Sequence, residues 1–366
     1  MNPRITQADV AKEAGVHSTT VSLALRNHPS LPIETRQRIQ ALAEKIGYRP
    51  DPDLRSLMSY RRSMSGEKKH PSTLAYVTNW HSKMGWKQWP AHAQFYEGAG
   101  KRAPQLGYQL EHFWLGEPGL SDQRLGDILV ARGIQGAIIA SYSPDFDRPL
   151  QLDWTRLSAV KIGFFPSKPK LHTITNDQSA IIRLAMRRAK EAGYRRIGFV
   201  LPQEFDEFVD LAWSAGFLAE QQKAAPDDRI PILRYPTPIA SSAAPYCGDL
   251  VPRRTLEDWL QAYKPEVLIS WGPFLLPRLR ELGLSVPSDI AYADVFLEDT
   301  NDSLAGVHQN CQRVGACAVE AIADQIEHHV VGIQTVSKTT LIEGTWIDGA
   351  SLPRRVPMAM SSLGGP

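Results

Sequence analysis

Residues 5–25, ITQADVAKEAGVHSTTVSLAL, and residues 33–62, IETRQRIQALAEKIGYRPDPDLRSLMSYRR, decide how this chain is read. From Ile5 to Ala14 the apolar residues Ala8, Val10, Ala11 and Ala14 recur at helical spacing, and Thr6 with Asp9 three residues on has the form of a capping box. Gly15 ends that helix, because glycine takes the left-handed conformation of a helix C-terminus without a Cβ penalty. Val16 leads into a second helix, His17 to Arg26, with Val21, Ala24 and Leu25 on one face. A third runs from Ile33, behind Pro32, to Gly47, with Ile39, Leu42, Ala43 and Ile46 as its apolar stripe. The spacing therefore predicts an all-α head over residues 1–49, with a helix-turn-helix at its centre.

Working outward, Pro50, Asp51, Pro52 and Asp53 precede a short stretch, Leu54 to Arg62, and then a polar run, Ser63 to Ser72. Residues 50–72 thus read as a linker holding one weak helix. Beyond it, strand-like runs (Leu74 to Thr78, Gly136 to Ala140, Ala159 to Phe164, Ile197 to Leu201, Val267 to Ser270, Ile290 to Ala293) alternate with helical segments. That alternation predicts an α/β core of doubly wound parallel sheets over 73–350, with ligand sites at the C-terminal strand ends. Residues 351–366, with three prolines and a final Gly-Gly-Pro, read as a loose tail.

At 366 residues the chain is too long for one hydrophobic core, and its 43% hydrophobic and 22% charged residues exclude a disordered or fibrous protein. No run of 18 apolar residues occurs, and Arg4, Asp9, Lys12 and Glu13 stand where a signal peptide needs an apolar stretch, so a cytoplasmic protein is expected. Cys247, Cys311 and Cys317 have no CxxC spacing and read as reduced side chains rather than a zinc framework. Residues 1–70 hold 12 Lys/Arg against 7 Asp/Glu, whereas the remainder holds 29 against 32. A basic head on a mildly acidic body points to a polyanion as the partner of the head.

The quoted stretch resembles the DNA-binding head and hinge of the LacI/GalR family of transcription regulators, whose pattern is T-x-x-D-V-A-x-x-A-G-V-S-x-x-T-V-S followed by an E-T-R helix ending in G-Y. Thr6, Asp9, Val10, Ala11, Ala14, Gly15, Val16, Thr20, Val21, Ser22, Thr35, Arg36, Gly47 and Tyr48 match it. The segments YEGAGKRAPQLGY, RGIQGAIIA, AGYRRIGFV, ELGLSVPSDIAY and LAGVHQNCQRVG look like that family's effector-binding core in the right order, so the resemblance covers about residues 3–350. It implies a periplasmic-binding-protein-like core of two subdomains, about 73–172 with 305–334 and about 173–304 with 335–350.

For DNA, a helix starting at His17 would direct its first turn into the major groove, where Ser18 and Thr19 reach base edges. By position in the family's motif Ser18, Thr19 and Leu23 match its base-contacting sites, and Leu23 offers only apolar contact, such as to thymine methyls. Thr6, His17, Thr20, Ser22, Arg26 and Asn27 complete the expected DNA surface. In the hinge, Leu57 aligns with a leucine that the family wedges into the minor groove, and Arg55 would lie against a phosphate or the groove floor. A helix this short should order only on DNA and beside its twin.

The cleft departs from the family. The arginine before the family's Gly-Phe pair is Trp213 here, an Asn-Asp after the strand 267–270 is Trp271 and Gly272, and a later aspartate is Phe296. Gln309 and Asp177 match family residues, and the loop after the first strand adds Asn79, Trp80, His81, Trp86 and Trp89. Two readings stand: the rings line an open effector site for a carbohydrate or an aromatic metabolite, or they fill the cleft. The string Ala212-Trp213-Ser214-Ala215-Gly216 mimics a nucleophile elbow but lacks the preceding strand, since Phe208 to Leu211 reads as helix. Glu327, His328 and His329 cannot share one metal from adjacent helical positions, and no phosphate-binding glycine loop occurs, so neither metal nor cofactor is expected. The reading is a homodimeric repressor on a pseudo-palindromic operator, not an enzyme and not membrane-bound. Its alternatives are a constitutive DNA-binding regulator with an occluded cleft and a small-molecule binding or hydrolytic protein with a vestigial head.

Overall fold

The computed structural model describes residues 5–28, 30–48, 71–143, 147–236, 251–298 and 303–355. The head is three helices, α1 (Gln7–Ala14), α2 (Ser18–Leu25) and α3 (Ile33–Lys45), closing on Val10, Val21, Ala24, Ile39 and Ala43. At α1 the Thr6 hydroxyl accepts from the Asp9 amide while the Asp9 carboxylate accepts from the Thr6 amide, and Gly15 ends the helix at φ +66°. The reciprocal cap satisfies donors that a helix start otherwise leaves open.

The core holds two six-stranded sheets. In the first, β1 (Ser72–Asn79), β2 (Tyr108–Trp114), β3 (Gly136–Tyr142), β4 (Ser158–Ile162), β5 (His172–Asn176) and β11 (Thr339–Ile342) lie in the order β11-β5-β4-β3-β1-β2, all parallel. In the second, β6 (Ile197–Pro202), β7 (Leu233–Tyr235), β8 (Val267–Ser270), β9 (Ala291–Asp294), β10 (Ala305–His308) and β12 (Thr345–Ile347) lie in the order β12-β10-β9-β8-β6-β7, and only β12 is antiparallel to its neighbour. Strands buried on both faces need apolar runs, and β3, β4, β6, β8 and β9 are buried throughout.

Helices cover both faces of each sheet. On the first, α4 (Pro90–Gln105) and α11 (Cys311–Glu327) bury Phe95, Ala99, Val314 and Ala318 against Leu74, Tyr76 and Val160, and α5 (Asp122–Ala131) covers the opposite face with Leu125 and Leu129. On the second, α6 (Gln178–Glu191) and α8 (Ala212–Gln221) face α9 (Arg253–Tyr263) and α10 (Gly272–Glu281) across the strands. The short α7 (Gln203–Phe208) follows β6 directly.

Three expectations change. The chain exchanges between sheets at β5–α6, β10–α11 and β11–β12, so β10 belongs to the second sheet and β11 to the first, not the reverse implied by a division at 305 and 335. Residues 351–355 are not loose: the Ser351 hydroxyl donates to the Tyr292 carbonyl and accepts from the Ala305 amide, and Ser351 and Leu352 are buried. Finally, the run Phe208 to Leu211 does not continue as helix; α7 stops at Phe208, and Asp210 and Leu211 take φ +55° and +59° before α8 begins. Trp154, Trp259 and Trp346 pack against sheet and helix neighbours.

Candidate DNA-reading head and aromatic cleft

The N-cap of α2 is His17, whose Nδ1 accepts from the Thr19 amide at 3.4 Å and meets the Thr19 hydroxyl at 2.9 Å. Ser18 and Thr19 are therefore first-turn residues rather than caps, and both are exposed. Thr20, Ser22 and Leu23 are half-buried on the same helix, and Thr6 is exposed at the start of α1. Arg26 bends back to donate to the Ser22 hydroxyl and carbonyl, both at 3.1 Å, which orders the last turn of α2. Asn27, at φ +55°, is held by Arg36, which donates to its backbone and side-chain oxygens at 2.9 and 2.8 Å. A helix N-terminus with exposed hydroxyls fits base edges and phosphate. Arg55 and Leu57 lie outside the described residues.

Between the two sheets, at the C-terminal ends of β1, β3, β4, β5, β6 and β8, lies a cleft of about 180 Å³. Of the predicted cleft residues, Trp80, His81, Trp89, Trp213, Trp271, Phe296 and Gln309 line it. Its rings form a continuous wall: Trp80 to Trp89 at 6.1 Å, Trp89 to Phe205 at 5.6 Å, Phe205 to Trp271 at 5.5 Å and Trp271 to Phe296 at 5.5 Å between centroids. Such spacings suit tilted and edge-to-face aromatic pairs. The rings also serve the core, since Trp213 and Trp271 are only 5% and 6% exposed.

The floor is polar and interlocked. The Trp213 indole donates to Gln178 Oε1 at 2.5 Å, Gln178 Nε2 to Gln309 Oε1 at 3.1 Å, and Gln309 Nε2 to the Val295 carbonyl at 2.8 Å. Asn176 Nδ2 donates to the Gln309 carbonyl at 2.5 Å. Asn176, Gln178 and Gln309 stand where the chain passes between sheets, so the floor of the cleft is also its seam. Beside it, Asn310 Nδ2 donates to the Glu343 carbonyl and the Asp177 amide to the Ile342 carbonyl, both at 2.8 Å, tying the third crossing to the other two.

Asp294 was not singled out by the sequence, yet it sets this wall. Its carboxylate, fully enclosed, accepts from the Gly272 amide at 2.8 Å, the Phe296 amide at 2.7 Å and the Tyr292 hydroxyl at 3.1 Å, and burial raises its pKa to about 6 in spite of those donors. Trp271 and Phe296 flank the two amides it holds.

Three predicted residues fall elsewhere. Trp86, on the single turn Gly85–Gln88, is fully buried against Tyr76, Tyr96 and His112, because its indole donates to the Lys83 carbonyl and turns the ring inward. Asp177 is the N-cap of α6, accepting from the Ala180 amide, and does not line the cleft. Asn79 is buried at the end of β1 and borders a separate groove with Trp114, Asp147 and Arg148. The sequence missed Phe205, Phe208, His92 and Phe95, which reach the cleft from α7 and α4.

The enzyme look-alikes dissolve in the fold. Ser214 lies within α8, its hydroxyl donating to the Leu211 carbonyl, with no strand ahead of it. Among the described residues no group of three His, Cys, Asp or Glu side chains could hold a metal ion, and no helix is long and apolar enough to cross a membrane.

Known proteins share this architecture and its motifs. Residues 6–51 match the model of bacterial regulatory proteins of the lacI family, and residues 186–352 match the periplasmic binding protein-like domain. The HTH-type transcriptional regulator reg1 of Streptomyces lividans is 28% identical over 338 residues, covering 87% of this chain and 89% of its own. Among solved structures, a complex of the transcriptional regulator CelR with cellobiose superposes with a TM-score of 0.55 at 20% identity, over 95% of this chain and 100% of its own. The lac repressor dimer bound to operator and an anti-inducer gives 0.52 at 17%, over 96% and 100%. The head model, the core model and the relatives named as regulators agree: this chain joins a lacI-family DNA-binding head to a periplasmic binding protein-like core, the make-up of a DNA-binding transcriptional regulator.

Proposed function

We propose that the chain is a repressor that binds a pseudo-palindromic operator as a homodimer in the cytoplasm, with its affinity set by a small molecule in the aromatic cleft. The observation that carries this reading is the composition of the cleft: Trp80, His92 and Phe95 come from the first sheet and its helices, Phe205, Trp213 and Trp271 from the second, and the floor is the seam between them. A ligand touching both sides stabilises one relative arrangement over another, and a ligand can bias a protein only through such differential contact. Support for the repressor and dimer comes from the lac repressor dimer on its operator, and for a small-molecule effector from the CelR complex with cellobiose.

The test is selection of duplexes from a randomised pool by the full-length chain, followed by measurement of stoichiometry on the enriched sequence. An inverted repeat bound by two chains is the expected result. Enrichment of an asymmetric site bound by one chain, or no enrichment, overturns the reading. The occluded-cleft reading draws on the burial of Trp213 and Trp271, and it predicts that no small molecule alters affinity for that duplex.

A further inference from the structure

We propose that the cleft takes an uncharged ligand built on a single aromatic ring, with one hydrogen-bonding substituent that meets Nδ1 of His92. This deepens the effector reading above and rests on it.

Size comes first. An apolar cavity of ~150 Å³ admits benzene, so the 180 Å³ of this cleft has room for one substituted ring. Charge comes next. Among the described residues lining the cleft there is no Asp, Glu, Lys or Arg. A carboxylate or ammonium bound there would lose its hydration without gaining a counter-charge, and an uncompensated buried charge is heavily penalised.

Hydrogen bonding then separates an aromatic from a sugar. The floor amides of Asn176, Gln178 and Gln309 and the Trp213 indole already serve one another and the Val295 carbonyl. A sugar would need partners for hydroxyls around its whole rim, and taking them from this floor would cut the bonds that join the two sheets. The walls offer mostly ring faces, from Trp80, Trp89, Phe205, Trp271 and Phe296, with Gln88, Ser143 and Thr175 as scattered polar side chains among them.

His92 supplies the polar handle. It lines the cleft from α4, its ring set edge-on to Trp80 at 5.1 Å and Phe95 at 5.7 Å, and its Nδ1 is buried with no hydrogen-bond partner among the described residues. A buried polar nitrogen left without a partner is rare enough to call for one. Burial lowers its pKa to about 4, so the imidazole is neutral and, by tautomer, Nδ1 donates or accepts. A phenolic or alcoholic hydroxyl can do either.

Calorimetric titration of the full-length protein with phenol, toluene, benzoate and cellobiose tests this. Phenol and toluene should bind saturably, with benzoate and cellobiose at least about a hundredfold weaker. In His92→Phe, toluene should bind as before while the phenol-to-toluene affinity ratio falls about three- to tenfold, the worth of one hydrogen bond. Cellobiose or benzoate binding more tightly than phenol, no saturable binding of either aromatic to the folded wild type, or an unchanged ratio in the variant would each overturn the proposal. Affinity for the selected duplex, measured alongside, separates the two claims. Aromatic binding without any change in duplex affinity upholds this ligand class and removes its effector role. A change driven by cellobiose alone upholds the effector role and removes this ligand class.

Discussion

Gly98 on α4 and Gly315 on α11 each rest on the other helix's backbone: a Cβ on Gly98 would overlap the Gln312 carbonyl, and one on Gly315 would overlap the Phe95 carbonyl. The two helices therefore cross at backbone contact. Phe95 lines the cleft and Gln312 follows the seam residue Asn310 by two positions, so the crossing ties the cleft wall to the passage between sheets.

Gly98→Ala should cost about 1–3 kcal/mol, as overpacking against an unyielding backbone does. Gly100→Ala, on the same helix with open space at its Cβ, should be neutral or slightly stabilising. Thermal melts of both variants check this; equal effects would mean that the helices part easily.

In the head, Thr19→Ala should change preference at one or two operator positions by roughly 1–3 kcal/mol, since Thr19 stands exposed on the first turn of α2. Arg36→Ala should leave base preference alone and lower stability by about 1 kcal/mol, because its two bonds to Asn27 hold the turn after α2. Binding across a panel of single-base operator variants distinguishes the two effects.

Trp271→Ala should cost roughly 3–5 kcal/mol, because its ring is buried among Trp89, Phe205 and Phe296. Trp80→Ala, at a half-buried ring, should cost clearly less and act mainly on ligand binding. A near-neutral Trp271→Ala in chemical denaturation would make that ring a wall only, with no share in the core.

Two buried groups give opposite pH signatures. The Asp294 carboxyl titrates at about 6 in the folded chain against an ordinary value of 3.8, so the folded state favours its proton and that stabilisation fades as pH rises from about 4 through 6. His92, lowered to about 4 from 6.5, contributes stability above pH 6.5 that fades as pH falls toward 4. Relative to wild type, Asp294→Asn should therefore gain stability with rising pH across 4–6, and His92→Phe should gain it with falling pH across 6.5–4. Melting temperatures read at half-unit pH steps check both signs.

The head was legible because its signals are local: the Thr6–Asp9 cap, Gly15 and the stripe through Ile39 and Ala43 act within a few residues. Strands β3, β8 and β9 were legible as apolar runs buried on both faces. By contrast β5, HTITN, and β11, TTLI, carry threonines and reveal themselves only by pairing with each other. The cleft was half legible. Trp80, Trp89, Trp213, Trp271 and Phe296 follow from chain order along the sheets, whereas His92 and Phe205 arrive on helices whose rotation only packing decides. Trp86 misled because one short turn inverted its ring.

The triple passage of the chain between the sheets also governs when this protein can become itself during synthesis. The first sheet waits for its covering helix α11, which ends at Glu327, and for β11, which ends at Ile342, although its other five strands are complete by residue 176. The second sheet waits in turn for β12, which ends at Ile347. Neither half can close while the ribosome is still delivering the other, so the Leu74, Tyr76 and Val160 surface that α11 will cover stays bare through most of translation. Such late closure by distant partners is slow and leaves apolar surface open to the wrong neighbour. The same interlacing that places both sheets on the cleft therefore leaves the nascent chain with bare apolar surface until its last strands arrive.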